Sequence, residues 1–379
     1  GSLPYSGPIW HVSTLGSDEN DGSEENPFAT IQHGIDASSD GDTVLVQEGT
    51  YNENIFYYGK AIALGSLFMI TGDTSYISQT IINGNGGEVV RFVDNEDANS
   101  ILEGFTLTNG GFGISLNNAS PTIRYVHIIN NSEAGIYCTY SNPSISYSII
   151  KNNSGLVAGG IDLNDSDPIL SNILISDNIC NSTGGGAIYA MRSNPVLQFV
   201  TITNNISSAG ENVGGILVHY SNCTITNSII WNNNNVDLFI DDNSSVNATY
   251  SNIQGGYIGM GNIDTDPIFV DAANGDYHLQ ESSLCIGAGD STYIPSTDIE
   301  GNPRPNPAGS SPDMGAYEHI NAIPTDIAPP TISSISSSSA SGTYGIGDTV
   351  IISINFSEPV IFEDSLVVSL ETGTNDRTL

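Results

Sequence analysis

Cations are almost absent from this sequence. Seven Lys and Arg face 42 Asp and Glu over 379 residues, a formal net charge of −35. Such a surface repels nucleic acid and anionic membranes, so neither is expected as a partner, and it stays soluble in salt. Long apolar runs are missing too: no stretch of about 18 such residues occurs, so nothing is expected to insert in a membrane. Cysteine is scarce, with Cys138, Cys180, Cys223 and Cys285 in no metal-like spacing. They read as buried free thiols with at most one chance disulfide. A recurring helical stripe is also lacking, which argues against leucine-rich, ankyrin and tetratricopeptide repeats. The opening GSLPYSG reads as a tag remnant or mature start and not as a signal peptide. Acidity alone would suggest disorder, but the apolar residues are too regular for that.

That regularity lies between Gly113 and Asn233. The segments GISLNNASPTIRYVHIINN, GIYCTYSNPSISYSIIKNN, GIDLNDSDPILSNILISDN, AIYAMRSNPVLQFVTITNN and GILVHYSNCTITNSIIWNN align without gaps. Pro121, Pro143, Pro168, Pro195 and Cys223 hold one column, so the steps are 22, 25, 27 and 28 residues. Ile114, Ile136, Ile161, Ile188 and Ile216 hold a second, and the closing Asn131, Asn153, Asn178, Asn205 and Asn233 a third. Self-similarity at this period means a solenoid.

Within each unit apolar residues alternate, as in Ile161-Asp-Leu163, the period of a strand with one face buried. Gly, Asn, Ser and Pro fill the gaps. Each unit therefore reads as one coil of a parallel β-helix, about ten coils in all, stacked at the strand spacing of about 4.8 Å. Isoleucines ladder inside, and the asparagines ladder at a turn where their amides bond along the stack. Length varies only between that Asn and the next Gly, the loop face on which repeat proteins usually place function.

Before the repeats, Asn26-Pro27 reads as an N-cap and first turn, with Phe28, Ile31, His33 and Ile35 following before Gly41. A short helix there would cover the open end of the solenoid. The whole run WHVSTLGSDENDGSEENPFATIQHGIDASSDGDTVLVQEGTY resembles the N-terminal cap and first coil of right-handed parallel β-helix proteins of the pectate-lyase-like superfamily. DIEGNPRPNPAGSSPDMGAYEH, Asp298 to His319, resembles the segment that closes many secreted bacterial members. The resemblance implies an all-β fold, a right-handed parallel β-helix with a short N-terminal capping helix, on an extracellular or cell-surface protein. The superfamily includes polysaccharide lyases, hydrolases, epimerases and proteins of unknown role, so fold does not choose an activity.

Four stretches follow: a cap over 1–42, a β-helix with its closing segment over 43–320, a Pro- and Ser-rich linker over 321–341, and strand-like text over 342–379. The last resembles the first half of a bacterial immunoglobulin-like domain. Such a sandwich needs roughly 90–100 residues, so a longer multidomain chain is expected, as a monomer.

Alternation also names the side chains that point outward. Six places before the proline column stand Ser115, Tyr137, Asp162, Tyr189 and Leu217, with Arg91 one coil earlier. Four before stand Asn117, Thr139, Asn164, Met191 and His219; three before stand Asn118, Tyr140, Asp165, Arg192 and Tyr220. One face thus gathers Tyr137, Tyr140, Tyr189, Tyr220, Asn164 and Arg91 as candidate sugar contacts, since aromatic faces flanked by carboxylates and amides bind glycans. The plainer reading is an ordinary sheet surface with an Asp165–Arg192 ion pair. Asp162, Asp165, Arg192 and His219 are the candidate catalytic groups. A hydrolase needs two carboxyls flanking the bond, and a lyase needs a cation or calcium plus a base. The Gly-His-Gly and Arg-x-Lys elements of the family's hydrolases are absent.

Ser17-Asp-Glu-Asn-Asp-Gly22 resembles an oxygen-rich calcium loop, making Asp18 and Asp21 candidate calcium ligands, against the alternative of a solvated turn. Asp298, Arg304, Asp313 and Glu318 read as structural, the arginine tying down the last turn through a carboxylate. Three functions stay open: a secreted or cell-surface protein that binds or processes a polysaccharide, a non-catalytic adhesin segment, and a calcium-assisted polysaccharide lyase.

Overall fold

Five isoleucines set the frame. Ile114, Ile136, Ile161, Ile188 and Ile216 pair in register from strand to strand, and each is wholly buried. They belong to an eight-stranded sheet whose strands run parallel, from Ile55–Phe56 through Ile161–Asn164 to Leu238–Ile240. This computed structural model describes residues 5–208, 213–320, 332–339, 344–345, 348–356, 369–370 and 377–378. Its fold is a right-handed parallel β-helix of about seven turns, fewer than the ten expected from the repeat spacing. The difference arises after Ile253, where the chain leaves the stack. Ile253 N donates to Ile263 O at 3.1 Å and Tyr250 N to Met260 O at 2.8 Å, so residues 255–263 finish the last coil instead of beginning another.

Each coil passes through three corners held by left-handed residues. The first corner carries Asn118, Tyr140, Asp165, Arg192 and Tyr220, with φ between 48° and 53°. The second bends the long strands of a sixteen-stranded sheet at Tyr125, Tyr147, Asn172, Phe199 and Asn227. The third places Asn130, Asn152, Asp177, Asn204 and Asn232 just before the ladder asparagines. Asn and Asp adopt this conformation readily; Tyr, Phe and Arg do so only where neighbouring coils fix it.

Two polar ladders run through the corners. Asn131 Nδ2 donates to Asn153 Oδ1 at 2.9 Å, Asn153 to Asn178 at 3.0 Å, Asn178 to Asn205 and Asn205 to Asn233 at 2.9 Å. A serine ladder, absent from the sequence reading, follows the first corner: the backbone N–H of Ser141, Ser166 and Ser193 donates to the Oγ of Ser166, Ser193 and Ser221. Buried backbone donors are thereby satisfied where strand pairing stops.

Helix α1, Ile31–Ala37, covers the first coil. It starts later than Asn26-Pro27 suggested, because Thr30 is its N-cap and accepts from His33 N. Gly34 is required by contact: a Cβ there would meet Val44 Cγ1 at 2.9 Å. The stretch before residue 43 is more than a cap, since Ile9–Val12 pairs in parallel with Thr43–Val46 and joins the sheet. Two further short helices, α2 (Phe68–Thr71) and α3 (Ser75–Gln79), interrupt the early coils. All four cysteines are buried and free.

The closing segment does not sit over the end of the stack. Ile299, Ala316 and Tyr317 pack with Tyr277 on Leu174, and Met314 packs with Leu279 and Cys285 on Ile229, so the segment lies along the outward side of the sixteen-stranded sheet. The chain divides into two compact units at Pro324. In the second, Ile332–Ser337 pairs antiparallel with Ile352–Phe356, and Ser369–Leu370 with Arg377–Thr378. Of the expected linker, 321–331 and 340–341 lie outside the described residues. No described helix is long and apolar enough to cross a membrane.

Candidate functional site

Strand alternation turns one column of the eight-stranded sheet outward, and the pairing puts Phe56, Arg91, Ser115, Tyr137, Asp162, Tyr189, Leu217 and Phe239 side by side. That column is not an open face. Ser115, Asp162 and Leu217 are buried, and the tyrosines are half-buried. The loop after Asn153 stands over it. Leu156 and Val157, both exposed, form with Asp162, Glu133, Asn181 and Phe112 the walls of a cleft of about 400 Å3. Phe112 in turn stacks on Tyr137, with ring centroids 5.1 Å apart.

Asp162 is the titratable group of this cleft. Burial pushes its carboxyl up to about 6, against a hydrogen bond from Asn164 Nδ2 at 3.0 Å that pulls it down. Asp165, three residues on, turns the corner into solvent. Arg192 from the next coil donates to it twice, Nε to Oδ1 and Nη2 to Oδ2, both at 2.8 Å. That fork holds the Asp165 carboxyl below the usual carboxylate range. Two carboxyls on one strand end thus have opposite protonation tendencies, the arrangement by which acid and base roles separate.

The remaining expected contacts fall into two groups. Tyr140 and Tyr220 share the Asp165–Arg192 corner row and are more than half exposed. Tyr189 and His219 meet edge to face at 5.8 Å, and His219 meets Phe239 at 6.2 Å. Arg91 lies apart, 2.6 Å from Glu88 and over the Phe56 ring at 5.3 Å. The single groove expected from the columns is therefore divided into a recessed cleft around Asp162 and an exposed corner row around Arg192. Phe112, Glu133, Leu156 and Asn181 were missed as cleft residues, although the variable loop length pointed to their side of the coil.

The calcium candidates have other partners. Asp18 accepts from Ala29 N, Thr30 N and Thr30 Oγ1 at 2.9–3.0 Å, using both oxygens to hold the entry to α1. Asp21 accepts from Ser23 N and Oγ, a turn. Among the described residues no three His, Cys, Asp or Glu come together to hold a metal. Asp18 thus has both oxygens on protein donors, and Asp21 has its Oδ1 on Ser23.

Comparison with known proteins follows the fold. The uncharacterized protein YwoF of Bacillus subtilis (strain 168) is 25% identical over 250 residues, which cover 60% of this chain and 47% of YwoF; the match thus spans about half of that relative's length. The chain is also similar to the crystal structure of pectate lyase Pel9A, at 13% identity and a TM-score of 0.43, covering 82% of this chain and 96% of that one. Pectin methylesterase PemA from Erwinia chrysanthemi is 11% identical, with a TM-score of 0.29, over 72% of this chain and 98% of that one. Residues 14–56 match a family described as a protein of unknown function. Residues 48–200 match the family described as right handed beta helix region, in agreement with the coils described above.

Proposed function

We propose that this chain binds a polysaccharide at the outward side of the eight-stranded sheet, as part of an extracellular or cell-surface protein. The observation that carries the reading is the cleft at Asp162. An apolar and aromatic wall (Phe112, Leu156, Val157) there faces Asp162, Glu133 and Asn181, which suits a ring with an apolar face and a hydroxyl rim. The corner row of Tyr140, Arg192 and Tyr220 extends the surface across further coils. The acidic composition supports an extracellular setting in salt.

Hydrolysis of the bound glycan is the second reading, favoured by the raised Asp162 carboxyl, which is partly protonated near neutral pH and suited to act as a general acid. The calcium-assisted lyase has weaker support, because Arg192 is neutralised by Asp165. The test is a panel of neutral and acidic plant and marine polysaccharides, read for binding, new reducing ends and unsaturated products. Binding lost in Asp162→Asn or Tyr189→Ala supports the reading. No binding to any member would leave the adhesin-segment alternative.

A further inference from the structure

The sixteen-stranded sheet carries an outward column of its own: Thr106, His127, Ile149, Leu174, Thr201, Ile229 and Asn252, paired in register. Almost all of it is covered. Helix α3 covers Thr106, whose Oγ1 donates to Ile77 O at 2.8 Å. The closing segment covers Leu174, Thr201 and Ile229, with Ala316 N donating to Thr201 Oγ1 at 2.9 Å. Asn252 donates to Thr265 O at 2.7 Å. Between Thr106 and Asn252 only His127 and Ile149 are not buried; beyond Thr106 the column runs on to the half-buried Ile81 and the exposed Thr50.

The neighbouring corner column repeats the pattern. Asn172 accepts from Arg304, Phe199 lies under the Arg304 guanidinium, and Asn227 is bonded to Asp290. Tyr125 and Tyr147 are left half-buried, stacked on each other at 4.8 Å. Two inserts approaching from opposite ends thus stop short and leave a window two coils wide, about 10 Å at the usual strand spacing. The window is a cleft of about 390 Å3, within the range of small-molecule sites.

Its chemistry is specific. The His127 ring and the Tyr125 and Tyr147 hydroxyls have no hydrogen-bond partner among the described residues, although each has capacity for one. Desolvation holds His127 down to about 4, so near neutral pH its ring is uncharged, with one donor and one acceptor. The walls are apolar at Ile77, Ile149, Ile299 and Tyr317. The one carboxylate of the rim, Glu300, is already met by His278 at 3.1 Å. His278 is shared with Asp276, so the rim keeps a residual negative charge and the window offers no cation to an acidic ligand.

We propose that this window is a second saccharide site, separate from the Asp162 cleft, which takes a neutral glycosyl unit. The unit's apolar face lies on the isoleucines and its hydroxyls meet His127, Tyr125 and Tyr147. The site does not depend on the Asp162 cleft being a binding site. The test uses the full chain with isotopically labelled histidine, titrated with xylotetraose, cellotetraose and tetragalacturonate while the His127 ring resonances are followed. A saturable shift is expected with at least one neutral tetrasaccharide and none with tetragalacturonate. Ser78→Trp, an exposed rim change that leaves the core untouched, is expected to weaken the neutral ligand at least about tenfold, and Ile149→Trp to do the same from the floor. Tyr189→Ala is expected to leave this shift unchanged. His127 resonances that stay put with both neutral ligands overturn the proposal, as does a Ser78→Trp protein that binds like the parent. A tetragalacturonate shift of equal size overturns the neutral specificity.

Discussion

Arg304 Nε lies 2.9 Å from Glu318 Oε2, and neither side chain is exposed. The same guanidinium donates to Asn172 Oδ1 and Gly315 O at 3.0 Å and lies 4.4 Å from the Phe199 ring centroid. One cation therefore joins the closing segment to two coils. Removing one partner of such a pair leaves a buried uncompensated charge, so Arg304→Ala is expected to cost about 3–5 kcal/mol. Urea unfolding of the variant against the parent checks this, and a shift below about 1 kcal/mol would deny the tie.

The asparagine ladder makes a second prediction. Asn178 Oδ1 accepts from both Asn153 N and Asn153 Nδ2, while its own amide donates to Ile150 O and Asn205 Oδ1. Asn178→Ala strands several buried groups, each worth about 1–3 kcal/mol. The expected loss is about 3 kcal/mol, comparable with the roughly 2–5 kcal/mol for Ile161→Ala, where a cavity opens between fixed ladders. Thermal melting of both variants tests the two together.

Asp162 predicts a pH dependence. Its folded carboxyl is raised to about 6 from an ordinary value near 4, so the folded state holds the proton more tightly. The stabilisation from that proton is complete below the unfolded pKa and is lost as pH rises through about 6. Asp162→Asn removes this loss and is expected to melt higher than the parent at pH 7, by about 1–3 kcal/mol, with the gap closing toward pH 4. Asp313, raised to about 7 by burial, titrates in an overlapping window, so the difference between the two proteins is the quantity to measure.

Two histidines are expected to differ in charge at neutral pH. Hydrogen bonds that its ring donates to Glu300 and Asp276 raise His278 to about 9, whereas desolvation lowers His127 to about 4. Ring resonances followed from pH 4 to 10 should show His278 losing its proton only near the top of that range. What His278 contributes to stability is full below its ordinary pKa near 6.5 and lost through about 9. A common midpoint for the two rings would contradict both environments.

For the corner row, Arg192 is paired in two hydrogen bonds to Asp165, so its charge is not free for an acidic glycan. Asp165→Asn is expected to strengthen binding of an acidic polysaccharide while leaving a neutral one unchanged. Isothermal titration with one glycan of each kind distinguishes these outcomes.

Much of this architecture was legible because a solenoid repeats its physics. Ile161 and its four equivalents share a column in sequence and stack in space, and the closing asparagines announce their ladder. The corners were less legible. Tyr140, Arg192 and Tyr220 adopt left-handed φ, which their own chemistry disfavours and only stacking imposes. Cover was not legible at all. Alternation says that Asp162 points away from the core, but it cannot say that residues 154–160 fold back over it. Nor does it show that the segment around Tyr317 lies along the flank. Those contacts join residues with no shared period. The same holds for the bonds by which Asp18 holds the turn into α1.

The ladder has a consequence for how such a chain diversifies. Amide spacings stay at 2.9–3.0 Å whether the next asparagine comes 22 or 28 residues later. The stack therefore does not register how much polypeptide is spliced in after each asparagine. New peptide can be grafted there, one coil at a time, without renegotiating the interior, and each graft is displayed about 4.8 Å from its neighbours on a common rim. Inheritance of the scaffold and invention at its rim are mechanically uncoupled.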